Sequence, residues 1–234
     1  VRLIPDSTRR FSRRPHYDDW ELDQIFEDII VGFLSERHGK ATFPISTDEL
    51  TVLIDRRTDD LDTLADLSTL GEDVEGVTDF RPNKKPRVRI ASQLWDGSNR
   101  ENRLRTTLAH EFGHVHLHNH LFQMDGTLEL FARNGGGEQQ CRRDGIEGRG
   151  RIDWMEWQAG YASGAILMPA TTLRAIIAST SIEVREGPVE TASLDGQKLI
   201  GAVASAFQVS RDAARVRLSQ ARYIADDPQR RLET

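Results

Sequence analysis

Two histidines four residues apart in a helical stretch, with a glutamate beside the first, constrain this chain more than any bulk property. The run is Thr107-Leu108-Ala109-His110-Glu111-Phe112-Gly113-His114. On a helix, a separation of four residues is about 6 Å along the axis and leaves both imidazoles on one face. Two neutral ring nitrogens so placed can chelate one Zn²⁺, while Glu111 stays out of the ligand set and serves as general base on a bound water. A chance match in an unrelated helix is the competing reading. Leu104, Leu108, Phe112 and Val115 form an apolar stripe along the same run, so the motif lies on a core-facing helix. Two histidines and a glutamate buried there are costly without a partner, and a metal ion is a natural one.

Two histidines leave a zinc ion short of a ligand. The segment Asp153-Trp154-Met155-Glu156-Trp157-Gln158-Ala159 opens a second apolar helix running to Met168-Pro169. A carboxylate from such a helix is a common third ligand. Glu156 is the candidate and Asp153, one turn earlier, the reserve; an exposed glutamate favouring the helix dipole is the plainer alternative. His110, His114 and His120 have the metzincin spacing, but Leu117 stands where that motif turns on a glycine, which favours a continuing helix. His116, His118 and Tyr161 are candidates for an oxyanion donor or for support beside the metal. Cys141, between Gln140 and Arg142-Arg143, is a candidate regulatory thiolate or fourth ligand, as is His120; an ordinary free thiol is the preferred reading for Cys141.

Residues 1–17 hold five arginines and two prolines and read as a flexible arm. From Asp18, Trp20 to Phe33 recur at helical spacing, ending near His38-Gly39; Ser46-Thr47-Asp48-Glu49 marks the start of a shorter helix. Residues 59–73 are acidic and without a clear pattern. Strands are expected over Val74–Phe80 and Arg87–Leu94, the second with Val88 and Ile90 on one face and an edge available to an extended peptide. Residues 121–152, rich in glycine and charge, read as a mobile insertion. Beyond a helix over Ala170–Ala178, residues 183–196 read as a linker. Leu199 to Leu218 form two helices around a tight turn, with Ser210 as N-cap and Arg211, Arg215 and Arg217 on the second. Contact with DNA through 196–221 is an alternative there; packing is the preferred reading.

At 234 residues, 38% hydrophobic and 29% charged, the chain suits a globular protein. Its net charge of −6 argues against nucleic-acid binding by the chain as a whole. The sequence contains no apolar run long enough for a membrane span, and its single cysteine cannot form an internal disulfide. With no signal peptide visible, the expected location is the cytoplasm.

Several segments together resemble the ImmA/IrrE family of metallo-endopeptidases. They are Asp73-Val74-Glu75-Gly76, the strand Arg87–Ser92, Arg103–Thr107 leading into His-Glu-Phe-Gly-His, and Glu156-Trp157-Gln158-Ala159 through Ile166-Leu167-Met168-Pro169. The likeness covers roughly residues 20–220. It implies His110, His114 and Glu156 as metal ligands and Glu111 as the catalytic glutamate. It further implies a cytosolic, zinc-dependent endopeptidase that cleaves one regulatory protein, typically a helix-turn-helix transcriptional repressor. Gly160 departs from the pattern, because many relatives carry a polar residue four after the ligand glutamate; support for a ligand histidine must then come from elsewhere. The expected fold is an α+β zincin, with a small sheet backing the zinc helix. Its divisions are an arm (1–17), a peptidase domain (18–182, with the 121–152 insertion) and a C-terminal helical, helix-turn-helix-like unit (183–234). The alternative function is a regulator with a structural zinc that binds DNA or a protein partner through that unit.

Overall fold

The structure, a computed structural model, describes residues 1–81, 83–96, 100–123, 153–182, 184 and 187–226, together with the backbone of 138–142. The fold mixes helices with small sheets. It divides into two compact units, residues 1–18 with 46–163 and residues 19–45 with 164–234. This is not the expected division into arm, peptidase domain and C-terminal unit. The first long helix belongs with the C-terminal helices because it packs on one of them.

In the first unit, β1 (Arg2–Pro5) and β2 (Arg13–His16) pair antiparallel, Arg2 opposite His16. Between them the Asp6 carboxylate accepts the N–H groups of Thr8 and Phe11, each at 2.9 Å. Phe11 is buried with Phe80, Phe122 and Trp154. The expected flexible arm is thus a hairpin with an apolar anchor. Its arginines signalled solvation, whereas one aromatic residue and one turn-forming carboxylate decide the structure.

The helix α1 (Asp19–His38) lies in the other unit; α2 (Thr47–Asp55) follows in this one. Ser46 and Glu49 cap α2 reciprocally, the Glu49 N–H donating to Ser46 Oγ at 3.2 Å and the Ser46 N–H to Glu49 Oε2 at 3.0 Å. A four-stranded sheet has the order β3-β5-β4-β6, where β3 is Asp60–Ala65, β4 Val74–Asp79, β5 Arg87–Ala91 and β6 Glu138–Arg142. Only β3 and β5 run parallel. The acidic stretch that lacked a sequence pattern supplies β3, its alternation hidden by aspartates on the outward face. Val88 and Ile90 are both buried, as their alternation predicts. The strand nevertheless stops at Ala91, and Ser92–Trp95 form a 3₁₀ turn. Moreover, β5 lies inside the sheet with both edges paired, so it offers none to a peptide.

The motif lies on α3 (Glu101–Gln123), which runs unbroken past Leu117 and is buried around nearly its whole circumference from Leu104 to His118. Next to it, α4 (Trp154–Leu167) comes very close at Gly113. A Cβ there would lie 2.9 Å from the Cβ of Ala162 and 3.0 Å from the Cα of Ala159.

In the second unit, α1 packs on α5 (Ala170–Ser179), with α6 (Leu194–Phe207) and α7 (Arg211–Gln220) completing the helical core. Short strands β7 (Val189–Glu190) and β8 (Ile224–Ala225) pair in parallel. The expected linker therefore contains a strand and the first turn of α6. Gln208, at φ 50°, and the Ser210 cap form the turn between α6 and α7. Arg217, one of the three arginines that the alternative reading would offer to DNA, is 1% exposed, in keeping with the preferred reading of packing. It donates from Nε to the carbonyl of Met168 at 3.1 Å and makes a charge contact with Asp23 at 2.7 Å. Among the described residues, no single helix is long and apolar enough to cross a membrane.

Candidate metal centre

α3 and α4 bring His110, His114 and Glu156 together. His110 Nε2 lies 3.1 Å from Glu156 Oε2 and His114 Nε2 3.2 Å from Glu156 Oε1. The two Nε2 atoms are 3.1 Å apart. The donor atoms of the three residues all fall within 4.8 Å of one another, a group able to hold a metal ion. His110 is 3% exposed and His114 fully buried. The donor chemistry fits a cation. Two imidazole nitrogens and a carboxylate converge on one point, a nitrogen and oxygen donor set that a divalent cation takes. Burial by itself raises the Glu156 pKa, but His114 and His110, by charge and hydrogen bonding, outweigh it and hold the carboxyl well below its ordinary value.

Glu111 sits outside this donor set. It is fully buried, and its Oε2 accepts the Thr78 hydroxyl at 2.5 Å. Oε1 has no hydrogen-bond partner among the described residues. Burial raises its pKa despite the opposing influence of His114, His110 and Thr78. β4 supplies the floor below this carboxylate. A Cβ on Gly76 would overlap Glu111 Oε1 and lie 2.9 Å from its carboxyl carbon, so only glycine fits without displacing the carboxylate.

The other sequence candidates fall in different places. His118, fully buried one turn beyond His114, has its Nδ1 3.0 Å from His114 Nδ1. Its Nε2 is 3.0 Å from Gln158 Oε1. Burial, reinforced by His114, holds its pKa well below the usual imidazole value. His116 lies about 200° around the helix from His114. It stacks near Phe112 and is held down to about 4 by burial first, then by Arg57 and His120. His120, further along a helix that does not turn back, is exposed and is not a fourth ligand. Tyr161 is buried with its ring centre 5.7 Å from that of Trp157. Asp153, the reserve ligand, is engaged by Arg10 and accepts the Met155 N–H at 2.8 Å. The backbone of Cys141 pairs opposite Gly76 in β6, but its side chain lies outside the described residues, as does most of the 121–152 insertion. A Cβ at Gly160 would meet nothing within 4 Å; as glycine, the position has no side chain to offer a histidine.

Thr78, Gly76 and Gln158 escaped the sequence reading as site residues. A glycine inside a strand marks close backbone approach, and Gly76 was legible on that ground. Thr78 and Gln158 carry no local signal, because what they touch is set by tertiary packing. Beside Gly76, Glu75 pairs with Arg103 and lines a cavity of about 360 Å³ with Gln93, Leu94, Arg100 and Arg103.

Site and fold together define a mixed α and β chain with a buried three-residue group that can bind a metal. Among known proteins, no family model and no curated sequence matches this chain.

Proposed function

We propose that this chain is a zinc-dependent endopeptidase of the zincin kind, resembling the ImmA/IrrE enzymes, that cleaves a specific regulatory protein such as a helix-turn-helix repressor. The observation that carries the reading is the division of roles among four buried groups. Three converge on one point, while Glu111, the sequence neighbour of the first, is turned aside to Thr78 with one oxygen left to accept a proton. A closed structural site has no use for a buried carboxylate beside its ligands.

His110, His114 and Glu156 would hold the ion, their two-nitrogen, one-carboxylate set being one that zinc accepts in catalytic sites. When bound, zinc supplies a Lewis acid that polarises a carbonyl and makes water a nucleophile near neutral pH. The remaining work falls to the chain. Glu111 Oε1 takes the proton of the attacking water and returns it to the leaving amine. The Thr78 hydroxyl keeps Oε2 occupied, so the carboxylate presents one oxygen in one orientation. Gly76 leaves the space in which that carboxylate lies.

The test is incubation of zinc-loaded protein with any helix-turn-helix repressor found encoded beside its gene, read by mass spectrometry with and without chelator. Cleavage that stops with chelator and in Glu111→Gln is expected. Undiminished cleavage by Glu111→Gln would refute the mechanism. Absence of cleavage, with salt-sensitive binding to duplex DNA, would favour the regulator reading.

A further inference from the structure

We propose that the Pro15 carbonyl, Gln158 and His118 form a hydrogen-bond relay that fixes His114 in the tautomer whose Nε2 lone pair faces His110 and Glu156. His118 is thereby a positioning residue for metal binding, and the N-terminal hairpin is its anchor. Only the consequence for metal affinity rests on the function proposed above; the tautomers follow from the polar contacts when both rings are neutral, the form in which a histidine binds a metal.

The relay starts at a group with one option. A carbonyl oxygen only accepts, and Gln158 Nε2 lies 3.0 Å from the oxygen of Pro15, so the amide must point its NH₂ at β2. The orientation of Gln158 is then settled, with Oε1 toward His118 Nε2 at 3.0 Å. An amide oxygen also only accepts, so His118 carries its proton on Nε2. A neutral imidazole protonated there has a bare Nδ1, and that atom lies 3.0 Å from His114 Nδ1. His114 must therefore donate from Nδ1, and as a neutral ring it then has its lone pair on Nε2. That nitrogen is the one 3.1 Å from His110 Nε2 and 3.2 Å from Glu156 Oε1. A ligand nitrogen needs this lone pair.

The surroundings keep His118 neutral and in place. It is fully buried, with the edge-on ring of Trp154 at 5.5 Å. The Arg14 guanidinium lies over that same indole at 5.3 Å, adding positive charge to the neighbourhood. Phe11 packs against the indole at 6.1 Å, and Arg10 bonds Asp153 at the start of α4. The hairpin thus grips the helix that carries both Glu156 and Gln158, and places the Pro15 carbonyl at the end of the relay. Pro15 is itself buried in β2.

The experiment uses the full chain labelled with ¹⁵N-histidine. Long-range ¹H–¹⁵N correlation spectra of metal-free protein report each ring's tautomer directly. The proposal expects His118 protonated on Nε2 and His114 on Nδ1. In His118→Leu and, as a milder second variant, Gln158→Met, the His114 signal should change to a tautomer mixture. Zn²⁺ affinity, read by competition with a chromophoric chelator, should fall about 10- to 100-fold. His118→Asn places an amide oxygen where Nδ1 was. It should restore the His114 tautomer and most of the affinity, which a residue that merely fills space would not do. Wild-type His114 protonated on Nε2 would overturn the relay, as would unchanged spectra and affinity in Gln158→Met. A protein with the expected tautomers but no zinc affinity would refute the metal reading while the relay stands.

Discussion

Gly113→Ala sets two well-calibrated effects against each other at the point where the metal group is assembled. In an isolated helix the change is favourable, since alanine is the better helix former by about 0.8–1 kcal/mol. Here the new methyl carbon would sit 2.9 Å from Ala162 Cβ and 3.0 Å from Ala159 Cα. Ordinary carbon contacts lie at about 3.5–4.0 Å, so the overlap is roughly 0.5–1 Å against two neighbours, one of them backbone. Overpacking of this kind costs about 1–3 kcal/mol, which exceeds the helix gain and leaves a net loss of roughly 0–2 kcal/mol. The strain has one direct release, outward movement of α4, and α4 carries Glu156. Spacings of 3.1 and 3.2 Å to the histidines would open, whereas metal–ligand distances tolerate only about 0.2 Å. Zinc affinity should therefore fall at least about tenfold, equivalent to 1.4 kcal/mol, even if the apo protein is little destabilised. Chelator competition gives the first quantity and urea denaturation of metal-free protein the second. A variant that binds zinc as tightly as wild type and is about 1 kcal/mol more stable, as helix propensity alone predicts, would refute the close approach as the feature that sets the site.

Four further outcomes follow from named contacts. Glu156→Gln should reduce zinc retained after dialysis from stoichiometric to near nothing, measured by elemental analysis, with the apo fold intact by circular dichroism. Thr78→Val removes the donor to Glu111 Oε2; loss of a hydrogen bond to a charged group, about 1.5–3 kcal/mol, predicts roughly a 10- to 100-fold fall in kcat/KM with unchanged zinc content. Asp23→Ala leaves the buried Arg217 without its charge contact, and should cost about 3–5 kcal/mol in thermal or urea unfolding, far more than Arg217→Met. Asp6 tests pH. Burial pushes its carboxyl up, but the Phe11 and Thr8 donors and the Arg10 charge outweigh this and lower it. Its stabilisation is thus present above the unfolded value of about 3.9 and is lost as pH falls through the folded value. Asp6→Asn should be less stable at neutral pH and show a shallower acid slope.

Which parts were legible from sequence follows from how local their causes are. The motif helix, the capped α2 and the Ser210 turn depend on short periods and single caps, and all are found; Glu156, 46 residues from His110, follows instead from the ligand that two histidines leave missing. Leu117 correctly indicated that α3 continues, and the exposed position of His120 follows from that. The failures share a different cause. The hairpin 2–16 depends on Phe11 reaching Trp154, far along the chain. β3 depends on pairing with β5 despite three polar residues in its six. Arg217 reads as a surface cation until Asp23, from the first helix, lies against it. In each case the deciding partner is distant in sequence, and periodicity carries no record of it.

Because β6 comes from a segment more than fifty residues downstream of β4, the hydrogen-bonding groups along the Gly76–Asp79 side of that strand are already taken. An outside polypeptide seeking backbone bonds there meets a rival joined to the same chain, whose local abundance is on the millimolar scale typical of tethered segments. Entry alongside Gly76 is thus an exchange of one strand for another, and any guest must outbid five residues that never diffuse away.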